Sequence, residues 1–179
     1  WSGWCVPWAS VINSRTNQIR AAIEWLHWWK RNFTNEGRGT LHNAAFYGTS
    51  LISSPDYSQY TIGQEHNEIM QLDAGFGALT AVYEMLVQDR QGTIHILPRI
   101  PQSWKQVSFS NILTEGGFLV SAEVSKGKRT QVVIRSQFDG PIRIAHGLGE
   151  ACLLNGERME SAVLEILTEA GETYALTPP

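Results

Sequence analysis

Gly116-Gly117-Phe118-Leu119-Val120-Ser121-Ala122-Glu123-Val124-Ser125-Lys126-Gly127-Lys128-Arg129-Thr130-Gln131-Val132-Val133-Ile134-Arg135-Ser136 holds two runs near period two on either side of Lys126-Gly127. Apolar residues alternating with polar ones put one face of each run in a core, and the Lys-Gly pair supplies the turn between them. The pattern predicts strands over Phe118 to Val124 and Thr130 to Ser136. Working outward, similar short runs occur at Thr93 to Leu97, Val107 to Leu113, Ile142 to Ala145, Ala151 to Leu154, Val163 to Thr168 and Thr173 to Leu176. Asp139-Gly140, Asn155-Gly156 and Ala170-Gly171 punctuate them. Turns recurring every ~10 residues are the mark of an antiparallel β-sandwich.

Upstream the period changes. Trp4, Trp8, Val11 and Ile12 fall on one helical face, with Pro7 tolerable in a first turn. A second helix is expected from about Thr16 to Asn32, where Ile19, Ile23 and Leu26 repeat at helical spacing and Ala22, Trp25 and Trp29 widen the stripe. Phe33 to roughly Met70 keeps neither period and reads as a long loop, a kind that is usually functional when ordered. A third helix is expected from Ala74 to Asp89, with Phe76, Leu79, Val82, Tyr83 and Leu86 on one face and Asp73 as N-cap. Pro98-Arg99-Ile100-Pro101 forms a stiff connector, which puts the domain boundary near Leu97. Three helices with tryptophan-rich faces cannot cover all their own apolar surface, so further helices are expected outside this stretch.

The 179 residues carry 14 Lys+Arg against 17 Asp+Glu, a formal net charge of −3, with no block of like charge. That balance argues against a nucleic-acid binder or a membrane-surface protein. Forty-two percent hydrophobic residues, including seven tryptophans, describe a chain that folds. No apolar run reaches the ~18 residues needed to span a bilayer, so the chain is expected to be soluble, with export or a periplasmic location left open. The two cysteines, Cys5 and Cys152, lack metal-type spacing and are expected as buried thiols. The phosphate-binding Gly-rich motif and the His-Glu-x-x-His motif are missing, and no cofactor or metal is expected.

Chemistry has its best candidate between Gln64 and Gly77, where the long loop meets the third helix. Asp73 at a helix N-terminus is held ionised by the dipole, and Gly75 and Gly77 leave room for a ligand or a second chain segment. Capping and close helix packing account for the same residues, and local pattern alone favours that reading. His42 and His66 lie in the loop, where polar residues often bind ligands; His95 and His146, in predicted strands, read as structural.

Met70-Gln71-Leu72-Asp73-Ala74-Gly75-Phe76-Gly77, then Tyr83-Glu84-Met85-Leu86, then Ile94-His95-Ile96-Leu97-Pro98-Arg99-Ile100-Pro101-Gln102-Ser103-Trp104, and finally Gly116-Gly117-Phe118 follow one another in an order that resembles the C-terminal part of glycoside hydrolase family 95. That family is typified by bacterial α-L-fucosidases and includes α-L-galactosidases. The opening Trp1-Ser2-Gly3-Trp4 to Trp8-Ala9 is similar to the aromatic-rich helix that precedes this motif in the family. The resemblance implies an α+β chain in which residues 1–97 are the C-terminal helices of an (α/α)6 catalytic barrel and residues 98–179 the antiparallel β-sandwich that follows it. It also implies an inverting hydrolysis: a glutamic acid protonates the leaving oxygen, and an asparagine polarised by an aspartate activates water. Asp73 matches that aspartate and is the candidate catalytic residue; the general acid and the asparagine would lie upstream. The isolated stretch is then expected to be inactive without the N-terminal part of its own chain.

Two departures bear on the sugar. The family's substrate-binding histidine falls six positions before the aspartate, where this chain has Asn67, with His66 one residue earlier; His66 and Asn67 are the candidate substrate-binding residues. The family's Asp-Gly-Asn-Phe-Gly is here Asp73-Ala74-Gly75-Phe76-Gly77, without the amide. The competing reading is a non-catalytic carbohydrate-binding or structural module, with Trp104, Tyr47, Tyr57 and Tyr60 as a stacking surface for sugar rings. The expected partner under the first reading is a carbohydrate, a fucosylated glycan; under the second it is a carbohydrate or, for a purely structural module, a partner domain.

Overall fold

The computed structural model describes residues 2–35, 39–41 and 70–179. They fall into two compact units, Trp1–Glu84 and Met85–Pro179. Among the described residues the fold is α+β: helices α1 (Cys5–Arg15), α2 (Ile19–Asn32) and α3 (Leu72–Leu86) precede ten strands. No helix among the described residues is long and apolar enough to cross a membrane.

In the helical unit, the buried stripes are made of small residues. α1 buries Val6, Pro7, Ser10 and Ser14, and α2 buries Ala22. Ser10 Oγ donates to the Ala22 carbonyl at 2.8 Å, a contact that only short side chains permit. Ser14 Oγ donates to the Glu84 carbonyl at 2.9 Å, and Arg15 grips the Glu84 carboxylate through Nη2 at 2.6 Å and Nε at 2.9 Å. On α3 the buried alanines are Ala74, Ala78 and Ala81. The large apolar residues that the periodicity assigned to the packed faces point the other way: Trp8 is 60% exposed and Phe76 67%, with Trp4, Ile12, Leu79, Val82 and Tyr83 also exposed. Helices approach most closely where side chains are short, so serine, alanine and glycine take the contact and Trp4 and Trp8 are left outside, while Trp25, Trp28 and Trp29 of α2 are half-buried.

The second unit opens on a hairpin. β1 (Val87–Arg90) pairs with β2 (Thr93–Ile96), Val87 opposite Ile96 and Arg90 opposite Thr93. The third helix therefore stops at Leu86 instead of Asp89. Gln91 and Gly92, at φ 53° and 70°, form the two-residue turn whose twist suits antiparallel strands, and this hairpin overrides the helical period that runs into it. The same turn joins β4 (Phe118–Ser125) to β5 (Lys128–Ser136) through Lys126-Gly127, and β7 (Cys152–Leu154) to β8 (Glu157–Met159) through Asn155-Gly156.

Two sheets result. One has the order β1-β2-β6-β9, with β6 at Gly140–Ala145 and β9 at Val163–Thr168. The other has the order β3-β4-β5-β10-β7-β8, with β3 at Gln106–Thr114 and β10 at Thr173–Thr177. All pairings are antiparallel except β2 with β6. Alternation supplies the core: Ile94, Ile96, Ile142, Ile144, Leu164 and Ile166 from the first sheet meet Val120, Val124, Val132, Ile134, Cys152 and Leu176 from the second. Burial pushes the Cys152 thiol up from its ordinary value.

Polar clasps tie the two sheets. Arg129, at the start of β5, donates to the Leu97 carbonyl and, through Nη1 at 2.6 Å, to the Gly147 carbonyl. Its desolvation holds the guanidinium below the usual arginine range. At the other end of β5, the buried hydroxyls of Ser136 and of Thr168 on β9 are hydrogen-bonded at 3.1 Å.

Candidate functional site

Asp73 lies in the first turn of α3. The helix begins one residue earlier, at Leu72, so the carboxylate stands inside the turn and not at the cap. Its Oδ1 accepts the Ala74 N–H at 3.1 Å, and the side chain is exposed. An anion there complements the positive end of the helix dipole.

The approach to this turn is fixed by main-chain bonds to a short segment far away in sequence. Thr34 bridges Thr40, and Leu41 bridges Met70, both antiparallel. Leu41 N–H donates to the Phe33 carbonyl and Gln71 N–H to the Thr40 carbonyl, each at 2.8 Å. Thr40 Oγ1 returns a bond to the Gln71 carbonyl at 2.6 Å. Gln71 Oε1 accepts the Trp4 N–H at 3.0 Å, meeting one of the donors that the start of α1 leaves without a helical partner. Glycine permits the closest approaches in this arrangement. A Cβ on Gly75 would stand 3.0 Å from Thr40 Cγ2, and one on Gly77 would stand 3.2 Å from Pro7 Cβ. Close packing thus accounts for both glycines that flank Phe76.

His66 and Asn67 lie outside the described residues, as do Gln64, Glu65, Glu68, His42, Tyr47, Tyr57 and Tyr60. Of the candidate catalytic and substrate-binding residues Asp73, His66 and Asn67, Asp73 alone lies among the described residues. Thr40 and Gln71 were not read as site residues: Thr40 is a loop threonine 31 residues from its partner, and no local pattern announces that pairing. Trp104, a candidate stacking platform, packs against the core of the second unit. An open depression of about 510 Å³ there, lined by Asp139, Gly140, Leu167, Thr168, Glu169 and Ala170, contains none of the candidate residues. Among the described residues no group of three or more His, Cys, Asp or Glu could hold a metal.

The two β-unit histidines are held by their surroundings. His146 is fully buried and uses both ring nitrogens, Nε2 at 2.8 Å from the Ser161 carbonyl and Nδ1 at 3.1 Å from Leu148 N–H. His95 sits on β2 opposite Gln88; burial, helped by Arg90 and opposed by Asp89, pushes its imidazole below the ordinary histidine value. The unfolded chain then takes up the proton first. Stability from this group is present above about pH 6.5, the unfolded value, and is lost as pH falls through the lower folded value. The expected result is a melting temperature that declines on acidification through this window, with part of the slope removed in His95→Gln. Identical slopes in the two proteins would exclude His95 as the source.

Residues 88–176 match the sequence profile described as glycoside hydrolase family 95, C-terminal domain. No curated protein sequence matches the chain significantly. Among solved structures, a similar one is the crystal structure of Ara127N-Se, a GH127 β-L-arabinofuranosidase from Geobacillus stearothermophilus T6. The alignment has a TM-score of 0.37 and 10% identity, and covers 90% of this chain and 27% of that one. The profile match begins at the second residue of β1 and ends in β10, taking in strands of both sheets, and over that stretch the chain is similar to the glycoside hydrolase family 95 C-terminal domain.

Proposed function

We propose that this chain is the C-terminal part of an inverting glycoside hydrolase acting on α-L-fucosides or the related α-L-galactosides. On this reading the helices of residues 1–97 belong to an (α/α)6 catalytic barrel, and the remainder is the sandwich that follows it. Asp73 accepts a hydrogen bond from the side-chain amide of an upstream asparagine. This raises electron density on the amide oxygen, which takes a proton from water as the water attacks the anomeric carbon. A glutamic acid, also upstream, gives its proton to the departing glycosidic oxygen. The attacking water occupies the space between sugar and base, which is why inverting enzymes keep their two groups ~6.5–9.5 Å apart. His66 or Asn67 contacts the sugar.

The family match over residues 88–176 carries the reading. Two features of the helical unit support it: an exposed carboxylate in the first turn of α3, and exposed apolar stripes on α1 and α3 of the kind buried in larger helical assemblies. The test is stereochemical. The full-length enzyme is given an aryl α-L-fucoside and the first-formed sugar is observed by proton NMR. The β-anomer is expected first. An α-anomer first would mean retention and overturn the mechanism; hydrolysis of neither fucoside nor galactoside would remove the substrate assignment.

A further inference from the structure

We propose that Thr40 is the positioning residue for Asp73, holding the first turn of α3 from both sides. The inference rests on the reading of Asp73 as the activating carboxylate. Two residues before Asp73, Gln71 is bound twice by Thr40, its carbonyl by the threonine hydroxyl at 2.6 Å and its N–H by the threonine carbonyl at 2.8 Å. Two residues after Asp73, Gly75 leaves the space into which Thr40 Cγ2 fits; a Cβ there would stand 3.0 Å from that methyl. One side chain therefore meets both shoulders of the carboxylate, the polar arm on one side and the apolar arm on the other. Thr40 is itself tied back by its bridge to Thr34 and by the bond from Leu41 N–H to the Phe33 carbonyl.

The chemistry depends on this support because Asp73 has little of its own. Its side chain is exposed and bonds the N–H of the next residue, so its place is set by the backbone beneath it. First turns are the part of a helix with fewest internal bonds and the greatest tendency to fray. A carboxylate that must orient an amide is sensitive to distance and angle, and a misplacement of ~1 Å can cost about 10²-fold in rate.

The experiment compares Thr40→Val, Thr40→Ser, Gly75→Ala, the double variant Gly75→Ala/Thr40→Ser and Asp73→Asn in the full-length enzyme, reading kcat and KM separately. Valine keeps the methyl and removes the hydroxyl; serine does the reverse. Thr40→Val is expected to lower kcat about 10- to 100-fold with KM little changed, and Thr40→Ser to recover most of it. Gly75→Ala should lower kcat, and adding Thr40→Ser, which deletes the obstructing methyl, should restore it. If Thr40→Val fails to fold, this second pair decides: restoration supports the role, and equal loss in both overturns it. Wild-type kcat in Thr40→Val beside an inactive Asp73→Asn overturns the positioning role and leaves Asp73 in place. A fully active Asp73→Asn overturns the carboxylate reading and this inference with it.

Discussion

Asp73→Asn in the full-length enzyme is expected to lower kcat by about 10²- to 10⁴-fold, the range for loss of a positioned acid–base contribution, with the melting temperature nearly unchanged. The swap is close to isosteric, and an amide oxygen can still accept the Ala74 N–H that Oδ1 now holds. What disappears is the charge. A neutral amide polarises a neighbouring asparagine far less than an ionised carboxylate. The structural loss is confined to the interaction with the helix dipole, about 0.3–1 kcal/mol at an exposed position. The two roles open to Asp73 therefore separate cleanly: a purely structural carboxylate would show a small shift in melting and full turnover. Full turnover in the variant would remove Asp73 from the mechanism.

Gly3→Ala has the largest expected effect on stability. Gly3 is buried, and a Cβ there would lie 1.8 Å from the Leu41 carbonyl oxygen, 2.9 Å from Gln71 Oε1 and 3.0 Å from the Leu41 carbonyl carbon. A flexible side chain could turn away, but the nearest obstacle is backbone. Leu41 is held by its N–H bond to Phe33 and its bridge to Met70. Relief requires breaking that ladder or pulling Trp4 N–H off Gln71. Overpacking of this kind costs typically 1–3 kcal/mol, and the immovable neighbour puts Gly3→Ala at the upper end. In the full chain, the amides of α1 should lose hydrogen-exchange protection while those of the β-sheets keep theirs. Unchanged protection at α1 would mean that the contact is not maintained in solution.

The strands were legible because turn chemistry is local. Lys126-Gly127 and Asn155-Gly156 are residues whose backbone conformation sets a hairpin without help from elsewhere, and the alternation between turns identifies the buried face. Gln91-Gly92 is the same signal, hidden by a helical period that continues into β1. β8 escaped notice because Glu157, Arg158 and Met159 are too few to show alternation. On α1 and α3 the helix faces were legible in period but not in direction. Periodicity finds the largest apolar stripe, whereas packing in the helical unit follows Ser10, Ser14, Ala22 and Gly77, which carry weak hydropathy signals. For the candidate site, Asp73 stood out by its motif. Thr40 did not, since its link to Gln71 comes from chain topology, which no short window of sequence contains.

His146 offers an observer of the sandwich from within. Ser161 presents a carbonyl oxygen, which can only receive a proton, and Leu148 presents an amide, which can only give one. The neutral ring is thereby confined to the form with its hydrogen on Nε2. Free imidazoles exchange between two such forms and report an average nitrogen resonance. In the folded domain, His146 should instead show two widely separated nitrogen-15 signals, one of pyrrole type and one of pyridine type. Their convergence on heating would mark the moment at which the loop after β6 parts from the segment leading into β9, giving this end of the domain its own internal thermometer.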